Sequence, residues 1–298
     1  MGKPLELTQA SDMMGGGAPN WSHCTWRLLA EGDSWFSIGA LNPLTSANLL
    51  QSMEFSLFTA AAHCSYPGDT LRRMVDLRSD PHFVQLLTGN VSWRWDAILL
   101  SAGGNDLIEA IGTPPSSSLE LRLLRTAAEW GPAAQGAARY LSADGWDTFS
   151  EYFRANLDAV IKLRDRKRGA DGNIGRPLCL HTYAYPTPRP SGAGAGQGPW
   201  LMPALQAYAI PVADWPALAR ALLDQLADLM LACAADTARY PALHVFDTRT
   251  VAIDPAAPGA PGASGDWLNE IHLTHEGCGK IARPWCTQIE QVMAANPP

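Results

Sequence analysis

Short apolar runs alternate with longer amphipathic stretches along the chain, and this alternation predicts strands that take turns with helices. Residues 147–168 and 214–240 repeat their apolar positions at helical spacing, as helices packed on a core do. The apolar runs are too short for typical helices, which favours buried strands, although three alanines within the second run also suit a helix. The runs lie near residues 25–31, 55–64, 96–102, 177–183 and 243–246. Five strands alternating with helices predict a three-layer α/β fold with a mostly parallel sheet.

The regions outside this alternation indicate how the chain is divided. Residues 1–22 are rich in glycine and polar residues, which predicts a flexible N-terminal arm before a single domain of residues 23–298. The stretch 107–146 is rich in Ala, Leu and Ser but interrupted by Pro and Gly, which predicts a helical insertion with breaks. The Pro/Gly-rich stretch 185–212 follows a predicted strand, and long loops of this kind are usually functional or disordered. We expect this loop to form a wall of a ligand site. The alternative, a linker between two domains, is disfavoured because only one predicted strand follows it, too few for a second domain.

The composition excludes several classes of partner. With 22 basic and 29 acidic residues the net charge is −7, and the one basic run, residues 164–168, is typical of a solvated helix end. No nucleic-acid partner is therefore predicted. No apolar run reaches transmembrane length, and the N-terminus lacks the apolar centre of a signal peptide. The sequence indicates a cytoplasmic protein, with export by a signal-independent route left open.

Cysteine and histidine spacing gives no metal site. The six cysteines show no CxxC spacing, which predicts buried free thiols, with disulfides as the lesser alternative. His272, His275 and Cys278 stand at three-residue intervals and imitate a metal site. No second cluster of ligands accompanies them, so no metal is predicted.

Three of the predicted strands end in polar groups. Ser34 follows Gly32 after the first strand, Gly68 lies at a helix entrance after the second, and Asn105 follows a glycine pair after the third. Ligands of open α/β sheets bind at the carboxyl ends of the strands, so we expect these groups to lie close together. Taken singly, each has an ordinary structural explanation as a turn or a helix cap.

His272 completes the set of groups that acyl transfer needs. A serine hydroxyl is a weak nucleophile until a base takes its proton, and a neutral imidazole is the base best suited to pH 7. The oxyanion that develops needs N–H donors, which the backbone of Ser34 and Gly68 and the side chain of Asn105 can supply. The combination predicts Ser34 as nucleophile, His272 as base, and an oxyanion hole made by Ser34, Gly68 and Asn105.

These motifs resemble the sequence blocks of the SGNH (GDSL) hydrolase family. Gly-Asp-Ser at 32–34 matches the first block, Gly68 matches the second least specifically, Gly-Gly-Asn-Asp at 103–106 matches the third, and residues 269–272 match the last. The blocks stand in the family's order and span almost the whole chain. The resemblance implies a flavodoxin-like α/β/α sandwich and the hydrolysis of esters by Ser34 and His272. It also implies that the reaction needs no metal and no organic cofactor.

The last block departs from the family's usual Asp-x-x-His, because Asn269 holds the acidic position. An Asn side-chain oxygen can accept a hydrogen bond from the imidazole and fix its tautomer, but it stabilises an imidazolium less than a carboxylate does. We expect Asn269 to be the third member of the triad. Glu270 and Asp266 are the alternative sources of a negative charge.

The function predicted from the sequence is the hydrolysis of a carboxylic ester, of either a small acyl group or a lipid. A carbohydrate O-acetyl esterase is the alternative enzyme, and a weakly active binding protein that keeps the fold is the alternative outside enzymes. Trp35, Tyr185 and Trp200 are predicted to contact the substrate. A shallow cleft lined by Trp would favour a sugar, and a deep apolar slot would favour a lipid.

Overall fold

A parallel β-sheet forms the centre of the computed structural model, which describes residues 2–14, 19–38, 46–194 and 196–296. The described strands are β1 (Lys3–Pro4), β2 (Glu6–Gln9), β3 (Trp26–Gly32), β4 (Glu54–Phe55), β5 (Thr59–His63), β6 (Ala97–Ser101), β7 (Leu178–His181) and β8 (Leu243–Phe246). Six of them form one sheet in the order β2-β5-β3-β6-β7-β8, and every neighbouring pair is parallel. The other two, β1 and β4, pair antiparallel.

Helices flank this sheet and complete the layers. The described α-helices are α1 (Ala10–Met14), α2 (Leu71–Met74), α3 (Pro81–Thr88), α4 (Gly104–Ile111), α5 (Ala143–Arg164), α6 (Leu201–Ala207), α7 (Trp215–Ala235) and α8 (His275–Ala295). Both α7 and α8 pack against β8, and α3 packs against β3. The predicted α/β/α sandwich with a mostly parallel sheet is confirmed.

The strand order places a crevice at the end of β3. In the sheet, β5 lies on one side of β3 and β6 on the other, so the direction of strand addition reverses there. The loops that follow such a switch point diverge and leave room for a ligand. The chain can leave β3 here because Gly32 has no side chain: a Cβ on it would lie 2.7 Å from the Ser101 Cβ of β6.

The N-terminal arm, predicted to be flexible, contains a strand and a short helix where the structure describes it, and the sheet has six strands instead of the predicted five. Strand β2 pairs in parallel with β5 at the edge of the sheet, and α1 follows it directly. Trp21 is buried, with its ring 5.4 Å from that of Trp93. The four residues of β2, Glu-Leu-Thr-Gln, carry almost no hydrophobic pattern, so their order comes from pairing with a distant strand. The run Gly15-Gly16-Gly17 lies outside the described residues.

The predicted helical insertion at 107–146 contains less helix than expected. Helix α4 ends at Ile111 and α5 begins at Ala143, and the connection between them contains three short 3₁₀ segments, at Leu119–Leu121, Ala127–Glu129 and Ala133–Tyr140. Proline and glycine divide this Ala-rich stretch, and Gly136 has non-helical backbone angles inside the last segment. The alanine content alone therefore does not produce a long helix.

All six cysteines are buried free thiols, as predicted. Among the described residues, no helix has both the length and the apolar composition needed to cross a membrane.

Candidate active site

Ser34 lies in a tight turn just past β3, and the buried carboxylate of Asp33 organises that turn. This carboxylate accepts hydrogen bonds from the backbone N–H of Trp35 (2.9 Å) and the hydroxyls of Ser101 (2.7 Å) and Tyr183 (2.5 Å). Burial raises the pKa of Asp33 to about 6, although these three hydrogen bonds act in the opposite direction. The network ties the Ser34 turn to β6 and to the segment after β7.

His272 is in contact with Ser34 and with Asn269. Its Nε2 lies 2.7 Å from the Ser34 Oγ, and its Nδ1 lies 2.9 Å from the Asn269 Oδ1. The same Asn269 oxygen accepts the backbone N–H groups of Ile271 (3.2 Å) and His272 (2.9 Å). Because two backbone donors point at this atom, it must be the amide oxygen, and Nδ1 must carry the proton that it accepts. Nε2 is then left with a lone pair for the Ser34 hydroxyl.

The electrostatic setting keeps His272 neutral. The residue is only 4% exposed, and burial lowers the pKa of its imidazole to about 4. The neighbouring group is a neutral amide, which offers no charge to oppose this shift. The imidazole is therefore in its basic form at pH 7.

Neither alternative acid contacts the imidazole. The Glu270 carboxylate is buried and turned away, and it accepts four backbone N–H groups from the loop after β7 and the start of α6. Asp266 forms an ion pair with Lys280, at 2.7 Å. Of the three residues considered for this position, Asn269 is the one that hydrogen-bonds to the His272 ring.

The three predicted oxyanion donors line one cleft together with His272. Ser34, Gly68 and Asn105 all lie on its wall. Among the described residues, the backbone N–H groups of Ser34 and Gly68 donate to no other atom. The Asn105 side-chain nitrogen donates one hydrogen bond to the Asp69 carbonyl oxygen, at 3.0 Å. That bond orients the amide and leaves its second N–H for the cleft.

Two of the three predicted substrate contacts lie at the site. The Trp200 ring stands edge-on to the His272 ring at 5.1 Å and lines the cleft. Trp35 is buried, donates from Nε1 to the Ile271 carbonyl at 3.1 Å, and lines a pocket beneath Ser34. Tyr185, the third residue predicted to contact the substrate, lies away from both spaces: its hydroxyl donates to Asp224 of α7 and it lines neither of them.

Two spaces adjoin Ser34. The cleft has a volume of about 350 Å³, and Ile38, Pro67, Ala193, Gln197 and Ile271 complete its walls. The pocket beneath Ser34 has a volume of about 40 Å³ and a mainly apolar lining that includes Leu107, Ile108, Leu201 and Leu223. The sequence did not identify these wall residues. They come from separate helices and loops and carry no signal other than their apolar character.

The loop after β7, which the sequence predicted to wall the site, does so and is anchored by two buried charged side chains. Glu270 binds the main chain at both ends of this loop, at Arg189 and at Trp200. The Arg189 guanidinium, itself fully buried, donates to four backbone carbonyls, those of Ala260, Gly262, Trp267 and Asn269. The loop and the backbone of Asn269 are thus held by the same pair of residues.

No model of a known protein family matches the sequence, and no similar curated protein is found. Solved structures with a similar architecture include an extracellular lipase from Streptomyces rimosus, at 17% identity over 89% of this chain and 100% of that one, with a TM-score of 0.49. An aryl esterase from M. smegmatis is 12% identical over 90% of this chain and 100% of that one, with a TM-score of 0.45. A carbohydrate acetylesterase from Sinorhizobium meliloti is 10% identical over 90% and 100%, with a TM-score of 0.45. Similarities of this size describe architecture and assign no role to a residue.

Proposed function

We propose that this chain hydrolyses carboxylic esters through an acyl-enzyme on Ser34. One observation carries the proposal: hydrogen bonds of 2.7 and 2.9 Å link the Ser34 Oγ to the His272 ring and the ring to the Asn269 Oδ1, and both Ser34 and His272 line a cleft. A serine hydroxyl that is hydrogen-bonded to a neutral imidazole, itself oriented by a third group, is the arrangement that activates a serine nucleophile.

In the first half of the reaction, the Ser34 Oγ attacks the carbonyl carbon of the ester and His272 Nε2 takes the hydroxyl proton. The carbonyl oxygen becomes an oxyanion, which the Ser34 and Gly68 N–H groups and the Asn105 amide stabilise. When the tetrahedral intermediate collapses, His272 Nε2 gives its proton to the leaving alcohol. The acyl group stays on Ser34.

In the second half, water takes the place of the alcohol. His272 Nε2 removes a proton from the water, whose oxygen attacks the acyl carbon. The new intermediate collapses to release the carboxylic acid, and the proton on Nε2 returns to the Ser34 Oγ. Asn269 keeps Nδ1 protonated throughout, so Nε2 is always the atom that exchanges the proton.

The two spaces at Ser34 suggest how an ester would be oriented, with its alcohol part in one space and its acyl part in the other. The leaving alcohol must lie near His272, which protonates it, and His272 lines the cleft of about 350 Å³. The pocket of about 40 Å³ does not include His272 and is mainly apolar, which suits the acyl group. A space of that size holds roughly two or three water-sized groups. We therefore infer that the substrate is an ester of a short acyl group, such as acetyl, with a larger alcohol.

A carbohydrate O-acetyl ester is a second candidate within this class. The cleft on the alcohol side is the larger of the two spaces, and it is lined by the partly exposed Trp200 and the exposed Gln197. An aromatic face beside a hydrogen-bonding amide suits the mixed apolar and polar surface of a sugar. A long-chain lipid fits less well, because the pocket beneath Ser34 is short.

Labelling with a fluorophosphonate followed by peptide mapping tests the proposal. We expect the adduct on Ser34, and we expect turnover of 4-nitrophenyl acetate to be lost in Ser34→Ala and kept in Ser56→Ala, a change at an exposed serine. An adduct on another serine, or full turnover by Ser34→Ala, would overturn it. A labelled Ser34 without turnover of any ester would instead support a binding protein that keeps the fold.

A series of 4-nitrophenyl esters tests the assignment of the short acyl group. We expect kcat/KM to be highest for acetate or propionate and to fall at least tenfold by octanoate. A steady rise toward octanoate would show that the acyl chain does not enter the pocket beneath Ser34.

A further inference from the structure

A cluster of three carboxylates lies behind the Ser34 turn, outside the groups used in the proposed reaction. Glu31 is the penultimate residue of β3, Asp69 lies in the loop between β5 and α2, and Asp80 caps the start of α3. One oxygen of each lies within 4.8 Å of the other two. Three chain segments distant from one another in sequence thus bring three acidic groups to one point.

Two of these carboxylates are fully buried and face each other, and each has one oxygen to which no N–H or hydroxyl group donates. Glu31 and Asp80 are both 0% exposed. Glu31 Oε1 accepts the Gly32 N–H at 2.7 Å, and Asp80 Oδ1 accepts the Phe83 N–H at 3.0 Å. Within the described chain, the other oxygens, Glu31 Oε2 and Asp80 Oδ2, are buried and receive no hydrogen bond from an N–H or hydroxyl donor. Buried acceptors of this kind normally have a partner.

The charge of the cluster is not balanced by protein groups. No lysine or arginine of the described residues lies within ion-pair distance of any of the three. Arg73, whose charge acts on Asp69, donates to the Gly68 carbonyl and pairs with Glu109. Ionised carboxylates this close in a buried site need a cation or a shared proton to offset their repulsion.

We propose that Glu31, Asp69 and Asp80 bind one hard divalent cation, such as Ca²⁺ or Mg²⁺. The donors are all carboxylate oxygens, the ligands that these two ions prefer. Oxygens on opposite sides of a Ca²⁺ ion lie about 4.6–5.2 Å apart and those around Mg²⁺ lie closer, so the spacing of the three suits a shared ion. Asp69 is only partly buried, which lets water reach the ion and complete its coordination.

The cation has a structural role in this proposal. The Asp69 carbonyl oxygen holds the Asn105 side chain, and Glu31 stands three residues before Ser34. An ion at the cluster would therefore fix the loop of Gly68 and Asp69 relative to the end of β3. It takes no part in the reaction steps given above.

Thermal unfolding of the full chain tests the proposal without an ester. After treatment with EDTA and its removal, CaCl₂ or MgCl₂ is added at pH 7.5. We expect Tm to rise by about 3–6 °C at a hundredfold excess over Kd for at least one of the two ions. Isothermal titration calorimetry is expected to give one site per chain.

Variants test whether the ion binds at this cluster or at another acidic group of the chain. Glu31→Gln and Asp80→Asn are expected to abolish the rise in Tm. If either variant fails to fold, Asp69→Asn takes its place, and it is also expected to abolish the rise. Glu6→Gln alters a second group, formed by the exposed Glu6 and His23 with the buried Cys24, and should leave the rise unchanged. No rise for the unaltered chain with either ion, together with a higher Tm in Glu31→Gln, would show that Glu31 and Asp80 share a proton. A rise that persists in the cluster variants would place the ion elsewhere, and either result overturns the proposal.

Discussion

Asn269 presents a neutral amide oxygen to His272 at the position where a carboxylate would add a negative charge. The oxygen fixes the tautomer and orientation of the ring, with the Nδ1 to Oδ1 distance at 2.9 Å. It cannot offset the positive charge that His272 acquires when it takes the Ser34 proton. Burial lowers the pKa of His272 to about 4 and no carboxylate opposes this shift, so the base stays neutral into acidic solution.

Asn269→Asp should move the pH profile. The new carboxylate favours the protonated ring, and a neighbouring opposite charge typically raises a pKa by about 1–3 units. We expect the acidic limb of kcat/KM to move up in pH by about that amount, with kcat at pH 8 kept or increased. The measurement is kcat/KM for a short ester between pH 4 and 9.

Two further variants control this prediction. Asn269→Ala removes the acceptor and should lower kcat without raising the acidic limb, because no charge is added. His272→Ala should remove activity in either background. An acidic limb that stays in place in Asn269→Asp would mean that the residue at 269 does not face the ring during turnover.

Asn105 is held by the Asp69 carbonyl so that its second N–H is available to an oxyanion. Loss of one such donor typically lowers kcat by about 10²–10³. We expect Asn105→Ala to show a fall of this size with an unchanged circular dichroism spectrum. Asn156→Ala, which removes only a bond to a carbonyl of its own helix, is the matched control. An unchanged kcat in Asn105→Ala would limit this residue to a local structural role.

At the scale of elements, Glu270 holds the loop between β7 and α6 against the active site. Its carboxylate accepts four backbone N–H groups, three of them at the start of α6. A glutamine has only one accepting oxygen, so at least one buried N–H group would lose its partner, which costs about 1–3 kcal/mol.

Glu270→Gln should therefore lower the free energy of unfolding by about 1–3 kcal/mol and raise KM, because Trp200 moves with the loop. Urea unfolding and steady-state kinetics measure the two effects. Glu276→Gln, at an exposed position in the first turn of α8, is the control and should change neither. Stability equal to that of the unaltered chain would mean that other contacts anchor the loop.

The sequence predicted the elements with strong hydrophobic patterns and missed those whose order comes from distant partners. The five predicted strands are present because their apolar runs suit a sheet covered on both faces, as in β6, where every residue is buried. Strand β2 was missed because it is short, polar and ordered by pairing with β5, about fifty residues away.

The same limit applies to the active site. Ser34, Gly68 and Asn105 could be predicted because each follows an apolar run that forms a strand, and His272 because acyl transfer needs a base and the last sequence block supplies one. The sequence could indicate that Glu270, beside Asn269, points away from the imidazole, but not which groups it binds. Those groups depend on where the loop after β7 runs.

At the scale of the whole molecule, buried titratable groups act on stability in opposite directions. His181 and His272 have pKa values lowered to about 4 by burial, so stability is lost as the pH falls from about 6.5, where the unfolded chain takes up protons first. Asp33 and Asp106 have pKa values raised to about 6 by burial, so their contribution is present at low pH and lost as the pH rises through 6. Between pH 4 and 6 the two effects oppose each other.

His181→Phe should reveal the histidine contribution. The ring is fully buried against Trp35, Phe36 and Trp285, so phenylalanine keeps the packing and removes the titration. We expect the difference in free energy of unfolding between the unaltered chain and the variant to fall by about 2 kcal/mol from pH 7 to pH 4.5. Urea unfolding at several pH values measures it, and parallel curves would show that His181 does not titrate in this range.

The edge position of β2 also bears on how the protein associates with itself. Strand β2 covers one side of β5, whose Ala60, Ala61 and Ala62 are small, apolar and fully buried. Removing residues 1–9 would leave β5 as a bare edge, with backbone groups free to pair with another chain and few bulky or charged side chains to prevent it. We therefore expect a chain without residues 1–9 to aggregate more readily than the full chain, whatever its activity at Ser34.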